Sequence, residues 1–202
     1  MTGGSPGPAR PRRLVVAMSG ASGLAYGVQL LRAIRKQGGV ESHLIITAGA
    51  RAAAPHELDM SVKDINALAD VVHSDGNLSS ALASGSFRTM GMVVAPCSVK
   101  TLSSIATSYS STLVARAADV TLKERRPLVL MLRETPLHAG HIRLMADVTA
   151  SGAIVYPPVP ALYTRPATIE EMIDHTVERV LGLVGLDTGD EHRWHGVPDL
   201  GV

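Results

Sequence analysis

Leu14-Val15-Val16-Ala17-Met18 is apolar without interruption, with no polar residue to mark a wet face. A strand of that kind is covered on both sides, as in the interior of a parallel sheet. Gly91-Met92-Val93-Val94-Ala95 and Leu128-Val129-Leu130-Met131-Leu132 repeat the pattern. Ser42 to Thr47 and Ala153 to Tyr156 predict further strands, and Asp70 to His73 a short one. Helical spacing fills the intervals. It runs over Leu24 to Lys36, stopped at Gly38-Gly39, and over Ala48 to Glu57, with Pro55 near the end. Ser61 and Asp64 open a short helix by a capping box. Further helices follow Ser98 to about Thr107, Thr112 to Arg125, and His138 to Thr149, stopped near Gly152. Thr168-Ile169-Glu170-Glu171 is a second capping box, opening a helix to about Val184. Asn77 to Thr89 reads as a loop with one helical turn.

Strands and helices alternate from end to end, which predicts right-handed crossovers between parallel strands. The fold class is α/β, a three-layer doubly wound parallel sheet of the Rossmann-like or flavodoxin-like kind. Ligands of such sheets bind beyond the carboxyl ends of the strands. Three polar turns fall there: Gly20 to Ser22, Ser98 to Thr101, and Arg133-Glu134.

In the first turn the strand breaks at Gly20-Ala21-Ser22-Gly23 and restarts as a helix. The first N–H groups of that helix have no intrahelical partner and carry the positive end of its dipole, so an anion fits there. Ser22 caps the helix or donates its hydroxyl to the anion. The spacing matches neither the dinucleotide G-x-G-x-x-G nor a P-loop, and a plain βα turn also satisfies this stretch. In the second turn Ser98, Lys100 and Thr101 offer hydroxyls and a cation to a flavin or nucleotide phosphate, although Ser98 serves equally as a helix cap. In the third, Glu134 beside Arg133 is a carboxylate kept ionised by a cation and able to accept a proton.

Lys123-Glu124-Arg125-Arg126 reads as a basic helix end stabilised by the dipole rather than a nucleic-acid patch. Arg116 and Lys123, two turns apart on one face, reach a bound anion if they project into a cleft. His138 and His141 lack a third ligand and read as surface histidines, so no metal is expected. His56-Glu57-Leu58-Asp59 is an acid/base pair or a polar helix end. Cys97 reads as a buried small residue, not a nucleophile.

Composition narrows the class. The chain has 202 residues, 46% hydrophobic and 18% charged, enough for one domain, taken as 13–186. A Gly/Pro/Arg-rich leader, 1–12, is expected to be disordered, and 187–202 is a polar tail with Trp194. A net charge of +1 and 3% aromatics argue against nucleic acid. No apolar run spans a membrane. The single cysteine fits a reducing compartment, so a cytoplasmic protein is expected.

Taken in order, Ser19-Gly20-Ala21-Ser22-Gly23, Pro96-Cys97-Ser98-Val99-Lys100-Thr101, Arg116-Ala117-Ala118-Asp119, Leu122 to Val129, Arg133-Glu134-Thr135-Pro136-Leu137 and Pro157 to Pro166 resemble the UbiX-type flavin prenyltransferases. The resemblance covers about Arg13 to Trp194. It implies a homododecamer that joins a dimethylallyl group from dimethylallyl phosphate to N5 and C6 of reduced FMN without a metal. The product, prenylated FMN, would serve a UbiD-type decarboxylase. The resemblance places FMN on Gly20, Ala21, Ser22, Thr47, Ser98, Val99, Lys100, Thr101 and Arg133. It places the donor phosphate on Arg116, Lys123, Arg133, Tyr163 and Arg179, with Arg116 and Lys123 from a neighbouring subunit. Glu57, Glu134, Ser22 and Lys123 are the implied catalytic residues. His56 departs from the family, which tends to a small hydroxylated residue there. Leu78 to Thr89 has no tryptophan, and Phe87 is its only aromatic. The alternatives are an FMN-dependent cysteine decarboxylase-like flavoprotein and a non-catalytic subunit of a phenolic acid decarboxylase. The first uses a histidine after the first turn, and none occurs from Met1 to Ser42.

Overall fold

The computed structural model describes residues 11–186; most of the expected leader, and the tail with Trp194, lie outside the described residues. Six strands, Arg12–Met18 (β1), Val40–Ile46 (β2), Val71–Ser74 (β3), Gly91–Cys97 (β4), Leu128–Leu132 (β5) and Ile154–Val155 (β6), form one sheet in the order β3-β2-β1-β4-β5-β6. Every pairing is parallel. The order reverses between β1 and β4, which puts the switch point at their carboxyl ends.

Strand residues alternate between two cores. Leu14, Val16, Met18, Val93, Ala95, Val129 and Met131 pack with helices Leu24–Gln37 (α1), Ala48–Glu57 (α2), Val62–Asn66 (α3) and Ile169–Leu183 (α7). Val15, Ala17, Met92, Val94, Leu128 and Leu130 pack with Val99–Ala106 (α4), Leu113–Lys123 (α5) and Ala139–Ala150 (α6). Two buried faces per strand account for the unbroken apolar runs. The edge strand β3 alternates half-buried with exposed residues instead.

Several boundaries differ from expectation. β1 begins at Arg12, inside the supposed leader, because Arg12 pairs with Val40. β4 continues through Pro96 to Cys97, which pairs with Leu132 after a register shift. β6 keeps only two paired residues. α5 ends at Lys123, and Arg125 turns into the left-handed region at φ 56°. At α7 the box is open: Thr168 caps Glu171 N–H, but the Glu171 carboxylate takes the N–H of Ala167.

Candidate functional site

The turns at the carboxyl edge are hydrogen-bonded into one row. Thr47 N–H, after β2, donates to Met18 O at 3.0 Å. Ser19, fully buried, donates its N–H (3.1 Å) and its hydroxyl (2.9 Å) to Pro96 O, and its Oγ accepts from Ser98 N–H at 2.8 Å. Arg133 N–H donates to Cys97 O at 3.1 Å. Four strand ends are thereby locked in register around the switch point. Gly20 and Gly49 close the gap between the first two turns: a Cβ on Gly20 would lie 3.0 Å from Gly49 Cα.

Helix N-termini open onto this row. Thr47 caps α2 by accepting from Ala50 N–H at 3.3 Å. Ser98 caps α4, accepting from Thr101 N–H at 3.3 Å and donating to Thr101 Oγ1 at 3.1 Å. The cap of α1 is a correction. Ser22 is not its N-cap; Gly23 is, at φ 107°, with no side-chain cap of its own. The carboxylate of Glu57, carried in by the end of α2, accepts from Gly23 N–H, from Leu24 N–H at 3.0 Å and from Ser22 Oγ at 3.4 Å. The first N–H groups of α1 are thus taken by a side-chain carboxyl group of the same chain. His56 points to solvent and leaves this arrangement intact.

At the β6 end a second group gathers. Tyr156 is half-buried and its hydroxyl is held above the usual phenol range, chiefly by burial. The Arg179 guanidinium opposes that shift, while Tyr163 and Tyr26 reinforce it, so all four groups share one electrostatic neighbourhood. Burial also raises Tyr26. Tyr163 lies edge-on to His175 at 5.9 Å, its hydroxyl 3.4 Å from Nε2. That contact ties the proline-rich loop to α7 one turn before Arg179.

Glu134 accepts from Thr135 N–H at 3.0 Å, and among the described residues no ion pair joins it to Arg133. Both side chains are exposed above the row. Arg116 and Lys123 share one face of α5, as expected, but not the site of their own chain. Arg116 donates to Ala83 O (3.2 Å) and Asp119 (2.7 Å), and Lys123 pairs with Glu124 at 2.6 Å. Lys123 closes α5 just before β5 begins. The length of β5, about 16 Å at about 3.3 Å per residue, separates it from the row.

Burial pushes the Cys97 thiol up to about 12, so it stays protonated and inert. The rings of His138 and His141 lie 3.7 Å apart, centre to centre, tilted by 32°. Among the described residues no group of three or more His, Cys, Asp or Glu is placed to hold a metal ion, and no helix is long and apolar enough to cross a membrane. Sequence reasoning missed Ser19, Gly49, Tyr26, Tyr156 and His175 as site residues. A serine directly after an apolar run was the available signal for Ser19. The tyrosines come together only through packing.

The Flavoprotein family matches residues 4–181. The flavin prenyltransferase UbiX of Escherichia coli K12 is 49% identical over 187 residues, 92% of this chain and 99% of that protein. A crystal structure of AnUbiX in complex with FMN and dimethylallyl pyrophosphate superposes with a TM-score of 0.90 at 48% identity, covering 93% of this chain and 100% of the other. A dodecameric FMN-dependent UbiX-like decarboxylase from Escherichia coli O157:H7 gives 0.88 at 43% identity, with 91% and 100% covered.

Proposed function

The chain belongs to the Flavoprotein family and, within it, to the UbiX flavin prenyltransferases, and we propose that it joins the dimethylallyl group of dimethylallyl phosphate to N5 and C6 of reduced FMN. The observation that carries this reading is the hydrogen-bonded row of turns, with the Tyr26, Tyr156, Tyr163 and Arg179 group at its β6 end. The residues fit FMN. The Gly20–Gly49 cradle is one that a single Cβ would fill, and the α2 and α4 N-termini beside it favour a phosphate. Gly20, Ala21, Ser22 and Thr47 would hold the phosphate end, with Ser98, Val99, Lys100, Thr101 and Arg133 along the ring. Bound reduced FMN supplies the nucleophilic N5 and C6.

The remaining roles belong to side chains. Tyr163 and Arg179 hold the donor phosphate, which leaves an allylic carbon as a dianion, and fixed donors in a dry cleft stabilise it best. Arg133 faces the same phosphate from β5. Arg116 and Lys123 reach it from a neighbouring subunit, in a homo-oligomer that we read as a dodecamer like the related decarboxylase. Ser22 and Glu57 form one hydrogen-bonded pair at the first turn, and Glu134 accepts the proton lost from C6. We place the enzyme in the cytoplasm, with its product passing to a UbiD-type decarboxylase.

Incubation of purified protein with reduced FMN and dimethylallyl phosphate tests the reading. A new absorption spectrum and a mass increase of one five-carbon unit are expected; unmodified FMN after many equivalents of donor would overturn it. A charge-assisted hydrogen bond contributes about 1.5–3 kcal/mol, so losing one slows turnover about 10- to 150-fold. Arg179→Ala is accordingly expected to keep FMN affinity and lose about two orders of magnitude in kcat/KM for the donor, with Tyr163→Phe losing about one. Steady-state assays at saturating reduced FMN measure both, and unchanged kinetics for Arg179→Ala would remove it from the phosphate cradle.

A further inference from the structure

Glu41, His43, His73 and Ser80 form a continuous hydrogen-bond chain outside the flavin site. His43 Nε2 lies 2.7 Å from Glu41 Oε1, His43 Nδ1 lies 2.9 Å from His73 Nε2, and His73 Nδ1 lies 2.9 Å from Ser80 Oγ. His43 is buried, and the two imidazoles stack at 5.2 Å. Phe87 closes over them, edge-on to His43 at 5.3 Å, with the Arg13 guanidinium 4.6 Å from its ring centre. The only aromatic of the 78–89 stretch is thus turned inward to this chain.

Other charges around the pair are accounted for. Arg13 donates to Glu41 at 2.9 Å. Asp70 is held ionised by Ser42 and feels His43 and Arg35. On the loop side Asp75 caps Val114 N–H, Arg126 donates to Gly85 O and Phe87 O, and Arg116 donates to Ala83 O.

The carboxylate only accepts, and that fixes the direction of the chain. With both rings neutral, Ser80 O–H donates to His73 Nδ1, His73 Nε2–H to His43 Nδ1, and His43 Nε2–H to Glu41. Ser80 Oγ then still accepts from Leu82 N–H at 3.3 Å. One added proton reverses the links from His43 to Ser80 and preserves each of them. A second sets N–H against N–H between two cations, and the contact is lost.

We infer that His73 is a positioning residue: this chain, holding no more than one extra proton, latches residues 78–84, between the Asp75 and Arg126 anchors, to the sheet, and a second proton releases them. The released segment carries Ala83, whose carbonyl holds Arg116, so the latch also sets Arg116 towards the donor phosphate. That consequence rests on the role proposed above for Arg116. Burial, and secondarily the charge of His43, hold His73 below the ordinary histidine range. The open segment therefore binds the proton more readily than the closed one, and the closed form is lost as pH falls.

Hydrogen exchange of the amides of residues 80–84 at about pH 5 and about pH 8, corrected for intrinsic rates, tests the latch on the intact oligomer. Wild type is expected to lose about tenfold in protection at the lower pH. In His73→Gln the amide replaces Nε2–H without titrating, and protection is expected to hold at both. Ser80→Ala cuts the last link and is expected to exchange fast at both. Equal protection of wild type at the two pH values, or an equal loss in His73→Gln, overturns the latch. The ratio of donor KM between the two pH values is then compared in wild type and His73→Gln, where titration of the donor itself cancels, and is expected to be about tenfold larger in wild type. If exchange follows the expected pattern while Arg116→Ala leaves the donor KM unchanged, the latch stands and the assignment of Arg116 falls.

Discussion

Glu134→Gln is expected to release phosphate in its first turnover yet form ring-closed product about 10²- to 10⁴-fold more slowly than wild type, the range typical of a lost general base. The first bond of the proposed reaction replaces the N5 proton by the allylic carbon and expels the donor phosphate, which can carry that proton away. Arg179, Tyr163 and the neighbouring cations would stabilise the departing group. Closing the fourth ring joins C6 to the far carbon of the prenyl double bond, which needs a proton delivered to the adjacent alkene carbon and the C6 proton removed. A carboxylate can take the C6 proton directly or through the released phosphate, which can supply the proton that the alkene gains. Glu134 stands one residue beyond Arg133, whose N–H is tied to Cys97 O, so its backbone is fixed to the row of turns. Its hydrogen bond from Thr135 N–H, at 3.0 Å and the one it makes among the described residues, is an acceptance that glutamine can repeat. The substitution therefore removes the basic site and little else. Rapid quenching, with phosphate assayed against the mass and absorption of the flavin product, separates the two steps. Product formed at the wild-type rate would take Glu134 out of the mechanism; loss of phosphate release as well would move its role to the first bond.

The parts of this fold that the sequence announces are those governed by local physics. Five apolar residues in succession can only be a doubly covered strand in a chain of this composition, and β5 lies over Leu128 to Leu132 as expected. The caps Ser61 and Ser98 act on N–H groups within three residues, and each is legible for that reason. Thr47 and Thr112 cap by the same local geometry, although neither was expected as a cap. Ser22 fails as a cap because the deciding group is distant. Glu57 comes from another helix to neutralise the α1 N-terminus, and no local pattern encodes that meeting. Tyr156 and Tyr26 escape notice for a similar reason, since each reads alone as a packing residue. Arg116 and Lys123 show the reverse case. Their shared face is plain from a seven-residue spacing, but only the fold shows that Lys123 lies at the opposite edge of the sheet from the turns of its own chain.

On the proposed reading, that separation leaves the site of a single chain unfinished. Ser22, Lys100, Arg133 and Glu134, on the turns at the carboxyl edge of the sheet, are exposed, as are Tyr163 and Arg179, whereas electrostatic catalysis of phosphate departure needs a cleft from which water is excluded. On the same reading, a second copy that brought the α5 face over this edge would supply both the cover and two further cations, Arg116 and Lys123.

Gly20→Val is expected to weaken FMN binding by about 10²- to 10⁴-fold while leaving a cooperatively folded protein. Gly20 is one of two glycines whose backbones touch across the first two turns. A Cβ there would meet Gly49 Cα at 3.0 Å and Gly49 C at 3.1 Å. Both are main-chain atoms at the start of α2 and cannot rotate away. Even alanine would push the β2–α2 turn by a few tenths of an ångström, and the branched side chain of valine must push it further. The displaced elements are those that, on the proposed reading, would present Thr47 and the first amides of α2 to the phosphate. Losing two charge-assisted hydrogen bonds at about 1.5–3 kcal/mol each gives the stated range. The fold should tolerate the change because Gly20 is exposed and neither sheet face contains it. Titration of FMN fluorescence, alongside thermal unfolding, measures the two effects separately. Gly20→Ala is expected to fall between wild type and Gly20→Val, at about tenfold. Were Gly20→Val to bind FMN as tightly as wild type, the phosphate would belong on another turn, with the α4 N-terminus at Ser98 the next place to test.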